Sequence, residues 1–144
     1  MLKNISPLLS PELLQTLAAM GHGDEIVLAD SNFPAASHAS RLVRADGHKI
    51  PELLAAILQL FPLDTFVDNP AAVMQPVDDS ASEPAVWSDY RRVMDAAEQR
   101  EISLSLVERY QFYDRARTAY AIVATGETAL YGNLILKKGV ITES

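Results

Sequence analysis

Near its amino terminus the sequence sets a histidine between two glycines, Gly21-His22-Gly23, just ahead of the run Glu25-Ile26-Val27-Leu28-Ala29-Asp30. Flanking glycines free the backbone from ordinary φ restrictions, so the imidazole can ride on a tight connection that reaches solvent. Histidine has an unperturbed pKa of about 6.5 and gives and takes protons near neutrality, so its chemistry here is general acid–base catalysis. The apolar run, bounded by polar residues, reads as a strand covered on both faces, which leaves Asp30 at its carboxyl end. Open α/β sheets bind ligands at that edge. Taken locally, a histidine beside a strand is more often structural than catalytic, and a lone aspartate after a strand is ordinarily an end cap.

Composition narrows the classes. A chain of 144 residues, 49% hydrophobic and 22% charged, has the size and balance of one globular domain, and we expect a single domain over 1–144. Nineteen acidic residues against twelve basic ones give a net charge of −7, which repels nucleic acid phosphates and anionic membrane surfaces, and no local basic patch overrides it. The chain has no cysteine, which excludes disulfides, thiolate metal sites and a cysteine nucleophile and suits a reducing compartment, with the cytoplasm as default. No apolar run approaches the ~20 residues needed to span a bilayer, and no secretory signal pattern opens the sequence.

The elements that must position His22 and Asp30 follow from pattern. Ser10-Pro11-Glu12 starts a helix with Ser10 as cap and Pro11 at the first helical position; Leu13, Leu14, Leu17 and Met20 follow at helical spacing, and Gly21 stops it. Strands are predicted over 25–29, around 41–44 before the turn Asp46-Gly47, and over 73–77, 102–108, 119–125 and 134–136, with a further short extended segment at 65–67. Helices are predicted over 51–61, 86–99 and 112–118; the second carries a stripe of Val86, Tyr90, Val93 and Ala97, read as core. Residues 78–84 read as an exposed loop, His38 and His48 as solvent-facing, and Lys137-Lys138 as a solvated end. The alternation predicts a three-layer α/β/α domain with a mixed, mainly parallel sheet of about six strands.

Four stretches carry a resemblance: MLKNISPLLSPELLQTLAAMGHGDEIVLAD, RADG at Arg44 to Gly47, FYDRARTAYAIVATGE, and LYGNLILKKGV. In order and spacing they resemble the RbsD/FucU sugar mutarotase family, nearer its L-fucose mutarotase branch than its D-ribose pyranase branch. The resemblance implies that His22 is the proton donor and that Asp30, Arg109, Tyr131, Gly132 and Asn133 bind the sugar. Tyr120 falls on a further pocket position. It also implies a homo-oligomer, pentameric rings stacked into decamers in bacterial members, acting on a monosaccharide without cofactor or metal.

The residue types suit that chemistry. Mutarotation opens a cyclic sugar and recloses it on the other carbonyl face, so one acid and one base are enough. His22 is our choice for the acid; the base is left open among Tyr131, Asp30 and water. Asp30 can accept sugar hydroxyls, Asn133 can donate and accept, Tyr131 can donate or stack, and Arg109 can anchor with its rigid fork. Local alternatives are a surface ion pair for Arg109 with Glu108 or Asp114, and a plain turn for Tyr131-Gly132-Asn133. At ~3.3 Å per residue, His22 and Asp30 stand on the order of 17 Å apart or more, too far for one monosaccharide; either the glycines fold His22 back along the strand or a neighbouring subunit completes the pocket, and we favour the second. Two other classes stay in view. One is a sugar-binding accessory without turnover. The other is a metal-dependent enzyme on His22, His38 and His48, whose spacing matches no recognised ligand pattern.

Overall fold

A computed structural model describes residues 1–78 and 82–143. In chain order the elements are α1 (Pro11–Ala19), β1 (Glu25–Ala29), α2 (Ala35–His38), β2 (Leu42–Ala45), α3 (Ile50–Leu58), β3 (Ala71–Met74), α4 (Ala85–Glu98), β4 (Leu104–Val107), α5 (Arg109–Thr118), β5 (Ala121–Thr125) and β6 (Leu134–Lys137). The strands form one sheet in the order β2-β5-β1-β6-β3-β4. β6 runs antiparallel to both of its neighbours, β1 and β3, and every other pairing is parallel. Carboxyl ends of the five parallel strands therefore share one edge of the sheet, and β6 begins there.

Alternation along each strand builds two cores, one on either face of the sheet. Ile26, Leu28, Val73, Val123 and Leu134 face the larger, where Leu13 and Leu17 of α1, Leu53, Leu54 and Ile57 of α3 and Trp87, Tyr90 and Met94 of α4 pack. Val27, Ala29, Met74, Ile122 and Ile135 face the smaller, closed by Phe33, by Ala35 of α2 and by Phe112 and Ala116 of α5. The result is the three-layer α/β/α arrangement that the alternating patterns predict.

Local chemistry explains the element ends. Ser10 Oγ accepts the Leu13 N–H at 3.1 Å, so α1 starts where serine and proline place it. At its other end the Lys138 ammonium donates to the carbonyls of Leu17 (2.7 Å) and Met20 (2.6 Å). Lys138 is thus no solvated end, because its charge satisfies orphan carbonyls at the negative pole of α1.

Two other expectations are corrected. Residues 65–67 form no strand: the Asp64 carboxylate accepts the Phe66 N–H at 3.1 Å and bends the chain, leaving only an isolated bridge between Leu63 and Lys138. The buried face of α4 is Trp87, Tyr90 and Met94, one residue round from the predicted stripe, with Val86 and Val93 half-buried and Ala97 exposed. The larger side chains take the core because they remove more apolar area from water. The four-residue α2 is too short to show a period and has no counterpart in the pattern reading. The predicted loop 78–84 lies partly outside the described residues.

Backbone packs tightly where the β5 end meets the turn after β2. A Cβ on Gly126 would lie 2.3 Å from the Asp46 carbonyl oxygen. We expect Gly126→Ala to cost about 1–3 kcal/mol, since two backbones must part. Urea denaturation would show the lowered midpoint, and an unchanged midpoint would contradict the contact.

Candidate functional site

The turn after β1 and the turn before β6 meet at the carboxyl edge of the sheet. Asn133 Oδ1 accepts the Asp30 N–H at 2.7 Å, and Asp30 Oδ1 accepts the Asn32 N–H at 3.0 Å. Both Asp30 and Asn133 are buried. Burial pushes the Asp30 carboxyl above its usual range, and the nearby Glu127 adds to this; the N–H groups of Asn32, Phe33 and Gly132 offset only part of it.

A cavity of about 310 Å³ opens on this polar corner. Asp30, Asn32, Asn133 and Arg109 supply its hydrogen-bonding groups, while Phe33, Met74, Val77 and Leu130 supply apolar wall, and Tyr113 and Tyr131 present both. Convergent polar groups in a cleft of this size suit a small polar ligand with carbon–hydrogen faces, such as a monosaccharide.

Arg109 opens α5, where a cation opposes the helix dipole. Glu108 compensates: its carboxylate accepts the N–H groups of Tyr110 and Gln111, each at 3.0 Å, and these bonds hold it below the usual range. The Arg109 guanidinium lies 5.9 Å from the centre of the Tyr113 ring, and Asp114 pairs instead with Arg117 at 2.8 Å. Tyr131 adopts a left-handed backbone (φ 57°), and its hydroxyl accepts the Val77 N–H at 3.2 Å across the cavity mouth.

His22 stands at the opposite end of β1. Gly23 takes a positive φ of 87° and donates its N–H to the Lys138 carbonyl at 2.8 Å, which turns the loop and presents a half-exposed imidazole. His22 Nε2 lies 3.0 Å from Asp64 Oδ1, and the Phe66 ring packs 5.0 Å from the imidazole. Asp64 is 2% exposed and donates its N–H to the Lys137 carbonyl at 3.0 Å. Burial opposes its ionisation, but the Phe66 N–H and His22 outweigh that, and the carboxyl is held below its usual range. A carboxylate beside one ring nitrogen orients the imidazole.

Of the predicted residues, Asp30, Arg109, Tyr131 and Asn133 thus line one cavity, with Gly132 buried behind it. Tyr120 does not join them. It precedes β5 at the amino edge, donates its N–H to Glu25 at 2.8 Å, and carries the Arg41 guanidinium 4.0 Å above its ring. His22 and Tyr120 therefore share one edge of the sheet and the sugar-binding candidates the other. His38 is not solvent-facing but half-buried, 5.5 Å from the Tyr113 ring and 6.0 Å from Phe33. Among the described residues no three His, Cys, Asp or Glu side chains come together as a metal site, and no helix is long and apolar enough to cross a membrane.

The sequence reading missed Asp64, which lies 42 residues from His22, and the buried Glu127, whose carboxylate accepts the N–H groups of Ile50 (3.2 Å), Thr128 (3.0 Å) and Ala129 (3.1 Å). A Thr-Gly-Glu turn closing an apolar strand was the one local signal for the second. Nothing in the spacing marked the first.

Residues 3–141 match the model of the RbsD / FucU transport protein family. The human fucose mutarotase is 54% identical over 146 residues, covering 97% of this chain and 94% of that protein. The L-fucose mutarotase of Haemophilus influenzae is 51% identical, covering 97% of each. A crystal structure of the Streptococcus pneumoniae fucose mutarotase in complex with L-fucose superposes with a TM-score of 0.92 at 50% identity, covering 98% of this chain and all of that one.

Raised by burial, the Asp30 carboxyl binds its proton more tightly in the folded state than in the unfolded chain. The stability this gives is complete below the ordinary value of 3.8 and is lost as pH rises through the folded value. Measured by urea unfolding, wild type should lose stability relative to Asp30→Asn as pH increases above about 4. Asp64 contributes equally to both proteins and cancels, and a difference that stayed constant with pH would contradict the raised Asp30.

Proposed function

The chain belongs to the RbsD / FucU transport protein family, and from that membership we propose that it is a sugar mutarotase, an isomerase that interconverts the α and β anomers of L-fucose or a closely similar monosaccharide. The observation that carries this reading is the cavity where Asp30, Asn133, Arg109 and Tyr131 converge, in a chain that shares half or more of its residues with fucose mutarotases. The reaction needs a proton delivered to the ring oxygen and another removed from the anomeric hydroxyl, and positioned side chains supply about 10²- to 10⁴-fold for such steps.

In this reading Asp30 and Asn133 accept and donate to sugar hydroxyls, Arg109 anchors them, and Tyr131 covers an apolar sugar face. His22 is the proton donor and Asp64 orients it. Because β1 separates His22 from Asp30, the His22 that meets a sugar in one cavity comes from a neighbouring copy, and Tyr120 arrives with it. The enzyme is then a homo-oligomer, a decamer of stacked pentameric rings by family resemblance, and its location is the cytoplasm, in keeping with a cysteine-free chain.

Saturation transfer between the α and β anomeric protons of L-fucose tests the activity. Wild type should accelerate exchange, and His22→Ala should lose about 10²-fold or more while keeping most of its sugar affinity. A wild type that binds L-fucose yet leaves exchange at the solvent rate would make the protein a binding module instead. The shared pocket has its own test: His22→Ala and Asp30→Ala, each inactive, should regain about a quarter of wild-type activity when unfolded and refolded together in equal amounts, because random assembly pairs an intact His22 edge with an intact Asp30 edge in that fraction of sites. No recovery in mixed, fully assembled oligomers would place both residues in one subunit's site.

A further inference from the structure

Behind the sugar cavity, α4 presents two polar aromatic side chains one turn apart, both buried: Trp87 is 3% exposed and Tyr90 is fully enclosed. Residues three apart on a helix lie on the same face, and these two donate to consecutive carbonyls of one segment. The Trp87 indole N–H meets the Tyr131 carbonyl at 2.8 Å, and the Tyr90 hydroxyl meets the Gly132 carbonyl at 2.6 Å. Burial, with Glu127, Asp30 and Asp89 nearby, pushes the Tyr90 phenol upward, so it stays a protonated donor across the working pH range.

In a trans peptide the C=O and the following N–H point in opposite directions. Turning the Tyr131 carbonyl toward Trp87 therefore turns the Gly132 N–H the other way, where it serves the Asp30 carboxylate. A bulky residue keeps a left-handed backbone such as that of Tyr131 only where its surroundings enforce it. Here the enforcement is visible on both sides. Two donors hold the carbonyls, and the Gly132 position has no room to shift, since a Cβ there would lie 2.9 Å from the Ala129 carbonyl oxygen and 3.4 Å from the Tyr90 hydroxyl.

We propose that Trp87 and Tyr90 are positioning residues for sugar recognition: they clamp the Tyr131-Gly132-Asn133 backbone so that the Gly132 N–H meets Asp30 while the Tyr131 and Asn133 side chains line the cavity. This rests on the reading of that cavity as the sugar site. A role in core packing alone would lower stability and leave substrate handling intact, whereas a clamp acts on substrate affinity.

The conservative variants Tyr90→Phe and Trp87→Phe keep aromatic packing and remove one donor each. In variants shown to be folded by circular dichroism, we expect KM for L-fucose to rise about ten-fold, the order expected for one hydrogen bond supporting a binding site, with kcat changing much less. Folded variants with wild-type KM and kcat would overturn the clamp. Should either variant fail to fold, wild type still decides, because Trp87 is the only tryptophan and gives a single indole N–H resonance. Saturating L-fucose should shift that resonance, and an unmoved signal in the bound protein would overturn the proposal. Anomer exchange by wild type with unaltered variants and a silent indole refutes the clamp alone. Absent exchange refutes the mutarotase reading, and the indole signal still reports whether a filled cavity is felt at α4.

Discussion

Everything in this molecule hangs on the reversed strand at the middle of its sheet. Because β6 runs against β1 and β3, its start lies at the carboxyl edge of the parallel strands and its end at their amino edge. Asn133, just before it, receives the Asp30 N–H, while Lys137 and Lys138 at its far end receive the N–H groups of Asp64 and Gly23. One short strand thereby sets the register of the Asp30 corner and of the histidine loop at once. Gly139 continues the constraint, since a Cβ there would lie 2.7 Å from the Leu63 carbonyl oxygen, just ahead of Asp64.

Two aspartates illustrate how the edges differ. Asp64 sits beside an imidazole and a backbone donor and keeps its charge, which is what an orienting partner for histidine requires. Asp30 is enclosed near another acid and is driven toward the neutral form despite three backbone donors. The unfavourable enclosure of Asp30 is offset elsewhere, in the two closely packed faces of the sheet.

Much of this was legible in the chain. Ser10-Pro11 announced α1, the five-residue apolar-rich run announced β1 to the residue, and the position of Asp30 after that run put it on the carboxyl edge of the sheet. The spacing from His22 to Asp30 alone already set the two apart. What stayed hidden depends on pairing across long sequence distances. Asp64 meets His22 only because the chain leaving α3 bridges at Leu63 to Lys138 and comes to lie beside the end of β6. The face of α4 was misjudged by one residue because spacing alone does not weigh Trp87 and Met94 above Val86 and Val93. Lys138 looked like a solvated charge because a helix end that needs its ammonium lies 118 residues earlier. Tyr120 and Asp30 of one chain stand on different edges of the sheet, which only the parallel register of β1 and β5 reveals.

The division of labour between the ends of β1 also bears on how such a protein can diverge. Four buried strand residues, Ile26 to Ala29, separate the Asp30 corner from the imidazole, so substitutions around Met74, Val77 or Leu130 can reshape the cavity without touching the histidine loop. A lineage built this way can alter one end of the strand while the other stays intact.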